Sequence, residues 1–301
     1  MGKYKKTIIL LVVGIVMLSC IASIAGLFIG GGTGEYDLTT MNGEIVKIYG
    51  SGLYKNDSIS VVAQGKAADL VTLILGIPLL VLSLYLSSKD SFRGRLILIG
   101  TLGYFLYTYM SYSFVWMYNS LFIIYVILMS LSFYAFVLCF ISFDVERISS
   151  MFQKSLPVKF LGGFQFFIGF GIGILWLGRL LPSVFEGKIP YGLEHYTTLV
   201  IQGMDLGFIV PTAFLSGILL IKRKPFGYLL TSVIIIKGIT MLTCISAMIL
   251  NQVRNKVTMS IVEIVIFPAF NLLAFICLVI LMKNIRGEQD TGISINLKKQ
   301  L

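Results

Sequence analysis

Three ionisable residues, Asp205, Lys237 and Glu263, fall inside apolar runs of this chain where oily neighbours should exclude them. Such groups are rare within membrane spans, face protein or a water-filled cavity, and by default suggest a functional site. Counting about 1.5 Å per helical residue from the basic turn at Lys222 to Lys224, Asp205 lies about 24 Å and Lys237 about 17 Å above it. The lysine stem can carry its ammonium farther toward Asp205. Glu263, about 8 Å in from the other end of the last run, is expected to reach nearly the depth of Asp205. Desolvation disfavours a lone ammonium, so a carboxylate partner for Lys237 is expected. Together these groups would bind an anionic ligand or an ion, or pass a proton between amine and carboxylate. Tyr104 or Tyr107 would complete the site, and Asp69, about a turn from the outer end of its run, would form part of an entrance. The static alternative is a Lys237–Asp205 ion pair that fixes helix register, with Glu263 touching outer-surface water.

The elements that must hold these residues are membrane helices. The chain has 301 residues, 57% of them hydrophobic and 13% charged. Its mean hydropathy is +0.91, and soluble proteins carry about 25% charged residues. Eight apolar runs are read at Thr7 to Ile29, Ala68 to Ser87, Leu96 to Trp116, Leu121 to Phe143, Phe160 to Leu181, Thr197 to Ile221, Phe226 to Leu250 and Met259 to Met282. Each is long enough to cross a hydrocarbon core of about 30 Å as a helix. Runs without strand-like alternation cannot close a barrel. The expected fold is an all-α polytopic transmembrane bundle of eight spans.

The net charge of +10 raises the question of a nucleic-acid partner, but its distribution follows membrane topology instead. With the N-terminus inside, cytoplasmic segments hold sixteen of the 24 basic residues, from Lys3, Lys5 and Lys6 through Lys222, Arg223 and Lys224 to Lys298 and Lys299. The positive-inside rule then selects a cell-membrane protein with both termini cytoplasmic. Membrane lipids and a small-molecule or ion substrate are the expected partners, without nucleic acid; a protein partner is not specified. Arg179, Arg254 and Lys256 read as interface residues, and Trp116, Tyr118 and Tyr196 as an aromatic belt.

Cys20, Cys139, Cys244 and Cys277 all fall in spans without a C-x-x-C pair, and His195 is the single histidine. No metal site and no cofactor are expected. A retinal-type group on Lys237 fits poorly with eight spans and with Val233 one turn before it. The first run continues past the lipoprotein-like Met17 to Cys20, longer than a signal core of about 7 to 15 residues, so an uncleaved first helix is expected.

A tandem repeat is also legible. At a constant offset of 133 positions Pro78 matches Pro211, Leu82-Ser83 matches Leu215-Ser216, Lys89 matches Lys222, and Gly94 matches Gly227. This predicts two four-helix units in the same orientation, residues 1–148 and 149–301, as in transporters built from parallel repeats. Within it Lys237 takes the place of Tyr104. Pro78 and Pro211 would kink their helices and free carbonyls toward a cavity. The connection 30–66 carries β-prone runs at Glu44 to Tyr49 and Ser58 to Val62, which predict a small extracellular hairpin or cap. The tail from Lys283 reads as short, polar and cytoplasmic.

Gly52-Leu53-Tyr54, Asp69-Leu70-Val71-Thr72 with Gly76-Ile77-Pro78, Gly103-Tyr104-Phe105-Leu106-Tyr107 and Tyr118-Asn119 resemble a pattern found in uncharacterised prokaryotic multi-pass membrane proteins. The resemblance covers chiefly residues 52 to 125. It implies a prokaryotic cytoplasmic membrane and supplies no functional residue.

These features point first to a transporter or permease of a small solute or ion. Two other classes stay open. One is a membrane enzyme acting on a lipid or isoprenoid, although Asp90, Asp144 and Glu146 form no D-x-x-D or H-x-x-x-D cluster. The other is a sensor or assembly protein acting through residues 30–66.

Overall fold

The computed structural model describes residues 4–257, 259 and 261–286, apart from the side chains of Val262 and Glu263. The polar tail read from the sequence lies outside the described residues beyond Arg286. The helices are α1 (Lys5–Phe28), α2 (Ile59–Val71), α3 (Ile77–Ser88), α4 (Phe92–Phe114), α5 (Phe122–Ile141), the short α6 (Val145–Ile148), α7 (Val158–Glu186), α8 (Val200–Met204), α9 (Val210–Ile221), α10 (Pro225–Arg254) and α11 (Ile261–Lys283). A π turn joins α2 to α3 and another joins α8 to α9, so each pair forms one rod. Strands β1 (Tyr36–Thr39) and β2 (Ile45–Ile48) pair antiparallel at the end of the bundle called here the hairpin end.

Seven helical rods among the described residues are long and apolar enough to cross a membrane, the mark of a multi-pass membrane protein. The helix α4 is not among them. It carries Thr101, Thr108, Tyr109, Ser111, Tyr112 and Ser113 on buried positions, and α3, α5 and α10 pack around it. A helix shielded by protein needs no apolar circumference. The hydroxyls of Thr101, Ser111 and Ser113 bond back to carbonyls of α4 itself, Thr101 Oγ1 to Ile97 O at 2.8 Å and Ser113 Oγ to Tyr109 O at 2.7 Å, which satisfies them without water.

Both π turns have the same cause. Pro78 and Pro211 lack an N–H, and each ring would collide with the carbonyl four residues earlier. The helix widens instead, with Ile77 N–H donating to Thr72 O and Val210 N–H to Asp205 O, each five residues back. The two turns, Thr72–Gly76 and Asp205–Ile209, lie at the offset of 133. So do the left-handed residues Asp90 and Arg223, with φ of 61° and 53°. The turn bonds match as well, Ser91 N–H to Leu86 O and Lys224 N–H to Leu219 O. Gly94 and Gly227 lie so close to the preceding helix end that a Cβ at either would meet its backbone.

The hairpin differs from the sequence reading. Its strands flank Asn42-Gly43, with Gly43 at φ 81°, a turn dipeptide that allows the tight reversal. The run Ser58 to Val62, expected as a strand, starts a helix. Ser58 caps it by accepting the Val61 N–H on its hydroxyl at 3.2 Å, and this local bond outweighs β propensity. The rod therefore begins at Ile59, nine residues before the predicted span.

At the other end Arg95 donates to Ser142 O at 2.8 Å and lies over the Phe143 ring. Arg93 donates to Ile285 O at 2.9 Å, and Arg286 N–H to Met151 O at 2.9 Å. These bonds tie the start of α4 to the ends of α5 and α11, and the end of α11 to the segment that follows α6.

Candidate functional site

The helices α2, α4, α7, α8, α10 and α11 surround a cavity of about 1520 Å³. It begins at the hairpin end, beside Glu44 to Lys47 and Leu193-Glu194, and reaches down to Phe164 and Phe167. Unequal packing creates it. The rod beginning with α2 lies flush on α10, where Asn251 Nδ2 donates to Ala63 O at 2.7 Å and Ser60 Oγ to Gln252 Oε1 at 3.2 Å. At the offset of 133 the matching contact is α8 on α4, and that contact is sparse.

One side chain crosses the space. Tyr107 of α4 donates its hydroxyl to Asp205 Oδ1 at 2.8 Å, and Trp176 Nε1 of α7 donates to Asp205 Oδ2 at 2.8 Å. Asp205 is the first residue of the second π turn, half-buried on the cavity wall. The Lys237 ammonium rests over the Tyr107 ring, 3.9 Å from its centroid. Such a contact is worth about 0.5 to 2 kcal/mol, far less than the cost of desolvating an ammonium. Among the described residues no carboxylate lies within 4.0 Å of Lys237. The arrangement is an amine and a carboxylate joined through one phenol, with the carboxylate already holding two donors. Its open chemistry is the ammonium, which lies over the Tyr107 ring on the wall of a cavity wide enough for an anion.

The structure brings Asp205, Lys237 and Tyr107 together and separates the other candidates from them. Tyr104 is 0% exposed, and its hydroxyl pairs with Thr72 Oγ1 at 2.9 Å away from the cavity. Asp69 is not at an entrance. It is 3% exposed, accepting the Tyr54 hydroxyl at 2.7 Å and the Tyr112 hydroxyl at 2.9 Å. Pro78 and Pro211 are exposed on the outer surface of their rods rather than lining the cavity. Glu263 belongs to the first turn of α11, and its side chain lies outside the described residues. The bond from Asn271 Nδ2 to Thr243 Oγ1, 3.1 Å, aligns α11 with α10. On that register the Glu263 backbone lies about 21 Å along the axis from that of Lys237.

Two participants were missed by sequence reasoning. Trp176 went unremarked in the sequence because an indole suits an apolar span; the one available signal is its N–H donor, which needs a partner when buried. The second is a clasp at the cavity mouth. Asp57, 1% exposed, accepts the Met117 N–H at 2.9 Å and the Tyr196 hydroxyl at 3.0 Å. Tyr196 in turn accepts the Ser58 N–H at 3.3 Å. Asp57 Oδ2 and Glu194 Oε2 are buried with no hydrogen-bond partner among the described residues. Burial pushes the Asp57 carboxyl up to about 7, against the pull of its two donors and with a smaller push from Glu194. Burial also raises Glu194, opposed by Ser58 and the nearby His195 and Arg179.

Comparison with known proteins adds no relative from which a role could be carried over: no family model, no curated protein and no solved structure matches the chain.

Proposed function

We propose that the chain is a transporter or permease of the prokaryotic cytoplasmic membrane, taking a small solute that bears a negative charge. In this reading α4 is an eighth crossing, both termini are cytoplasmic, and the hairpin end faces outward. Residues 1–148 and 149–301 are parallel repeats, a reading supported by the paired π turns and matching turn bonds and by the arrangement of known transporters. The cavity is then open to the outside, with the Lys237 ammonium as its deep anion-binding group and Asp205 as the nearby proton or charge partner.

The observation that carries this is the environment of Lys237. Its ammonium lies on a cavity wall over a tyrosine ring, while the neighbouring Asp205 is held by Tyr107 and Trp176. A pair built only to fix helix register would put amine and carboxylate in direct contact.

Reconstitution into liposomes tests it. Wild type is expected to accumulate at least one member of a panel of radiolabelled monocarboxylates and organic phosphates. Lys237→Met is expected to lose at least tenfold of that flux while eluting as a folded monodisperse protein. Equal flux through both proteins, or none through either, would sink the reading.

A further inference from the structure

The cavity walls say more about the ligand than its charge. Apolar side chains of α7, α10 and α11, among them Ile174, Leu175, Met241, Ile245 and Phe267, line most of it. Its volume of about 1520 Å³ exceeds the range of roughly 300 to 1,000 Å³ typical for drug-sized ligands. A small hydrophilic anion would leave most of that apolar wall wetted.

The cavity is also weakly closed on one side. In the first part of the chain α1 packs along α5, with a Cβ at Gly14 coming within 3.2 Å of Leu131. Among the described residues α11 packs extensively on α10 alone. It meets α7 through the edge-to-face pair Phe167–Phe270, centroids 4.9 Å apart. A Cβ at Gly171 would still be 3.7 Å from the Phe270 ring. Ile174, one turn nearer the hairpin end, lines the cavity yet is 70% exposed.

We infer that the ligand is an amphiphile with one anionic head, a carboxylate or a phosphate monoester, and a single apolar tail. The head meets Lys237, and the tail lies against α10 and the α7–α11 side, through which it enters from the bilayer. This rests on the proposed role of Lys237 and narrows it to a class of substrate. Gly238, beside the lysine, lines the same cavity, and a Cβ built there meets nothing within 4 Å. A large side chain at this position fills tail space and leaves the head site in place.

Trp116 and Trp176 are the only tryptophans and both line the cavity. Trp116→Phe therefore leaves Trp176 as a single reporter beside Asp205. In nanodiscs of neutral phosphatidylcholine, this protein is expected to show saturable quenching by dibromostearate. Lys237→Met should weaken it at least tenfold, and Gly238→Phe should weaken it similarly while sparing binding of bromoacetate. Dodecyl phosphate should displace the brominated acid if the head site accepts either anion. Binding of bromoacetate or inorganic phosphate with Lys237 dependence, but no advantage for the long chain, would overturn the amphiphile and keep the anion transporter. No Lys237-dependent binding of any of these probes, by proteins of unchanged elution and emission, would overturn both.

Discussion

The surroundings of Asp69 and of Asp205 show how one helical framework treats two carboxylates differently. Around Asp69 the chain is closed: two tyrosine hydroxyls hold the carboxylate, and α1 lies against it at Gly26, where a Cβ would collide with Asp69 and Tyr54. Nearby, Thr72 and Tyr104 pair as neutral hydroxyls. At the offset of 133 those two positions become Asp205 and Lys237, and there the packing opens into the cavity. A neutral hydroxyl pair can be sealed, because it carries no charge to desolvate and one of its two O–H groups is already bonded within the pair. An amine and a carboxylate need solvent, a ligand or direct contact.

Exchanging the pairs should break that comparison most strongly. Thr72→Asp with Tyr104→Lys puts two charges into sealed packing and should cost more than about 4 kcal/mol, leaving little folded protein by size-exclusion chromatography. The reverse exchange, Asp205→Thr with Lys237→Tyr, should fold with an unchanged or higher melting temperature and lose anion binding. Equal stability of both exchanges would mean that the closed and open surroundings are not what separates the pairs.

The glycines give a somewhat smaller contrast. Gly26→Val drives a side chain into the Asp69 carboxylate and should destabilise by about 3 kcal/mol in thermal unfolding. Gly238→Ala points into open space and should be neutral or stabilising by up to about 1 kcal/mol, the usual helix gain over glycine.

The clasp joining the two regions should sharpen the comparison through pH. Its Asp57 carboxyl is raised to about 7 from an unfolded value near 3.8, so the folded state binds the extra proton between those values. Stability is then greatest at the acid side and falls as pH rises toward 7, by at most about 1.4 kcal/mol per unit, and levels off above it. Asp57→Asn should flatten much of this slope in melting curves from pH 5 to 8, with Glu194 supplying the remainder in the same direction. An undiminished slope would remove Asp57 from the clasp's titration.

The serines that follow the two prolines should show the smallest difference. Ser83 bonds to Leu80 O at 3.0 Å. Ser216 bonds to Ala213 O at 2.9 Å and also to Gln165 Oε1 at 3.2 Å across to α7. Ser216→Ala should cost about 0.6 kcal/mol more than Ser83→Ala, the mean worth of an interhelical hydrogen bond in a membrane protein.

Much of this architecture was legible in the chain because lipid makes span length a nearly direct readout of apolar run length. The start of the second rod was not, since Gln64, Lys66 and Asp69 interrupt the run while protein, not lipid, covers them. Lys237 and Asp205 were visible as charges out of place. Which of Tyr104 and Tyr107 faces them was not, because residues three apart lie only about 60° from each other around a helix, and neighbouring helices decide. Glu263 was set too deep because α10 continues to Arg254, beyond the apolar run that ends at Leu250.

The matched π turns carry a mechanical consequence. Proline at 78 and at 211 cannot restore the missing α-helical bond, so each rod keeps one permanently compliant joint. The segments beyond the joints, α3 and α9, are anchored against α4 and α10 by the tight glycine turns at Gly94 and Gly227. Bending within each of these two rods is therefore cheapest at its joint, which sets α2 and α8, the collar segments, apart from α3 and α9. Of the two collar segments, α2 is bolted to α10 by Asn251 and Gln252. The short α8 packs only sparsely on α4, and the π turn that follows it is held through Asp205 by Tyr107 and Trp176.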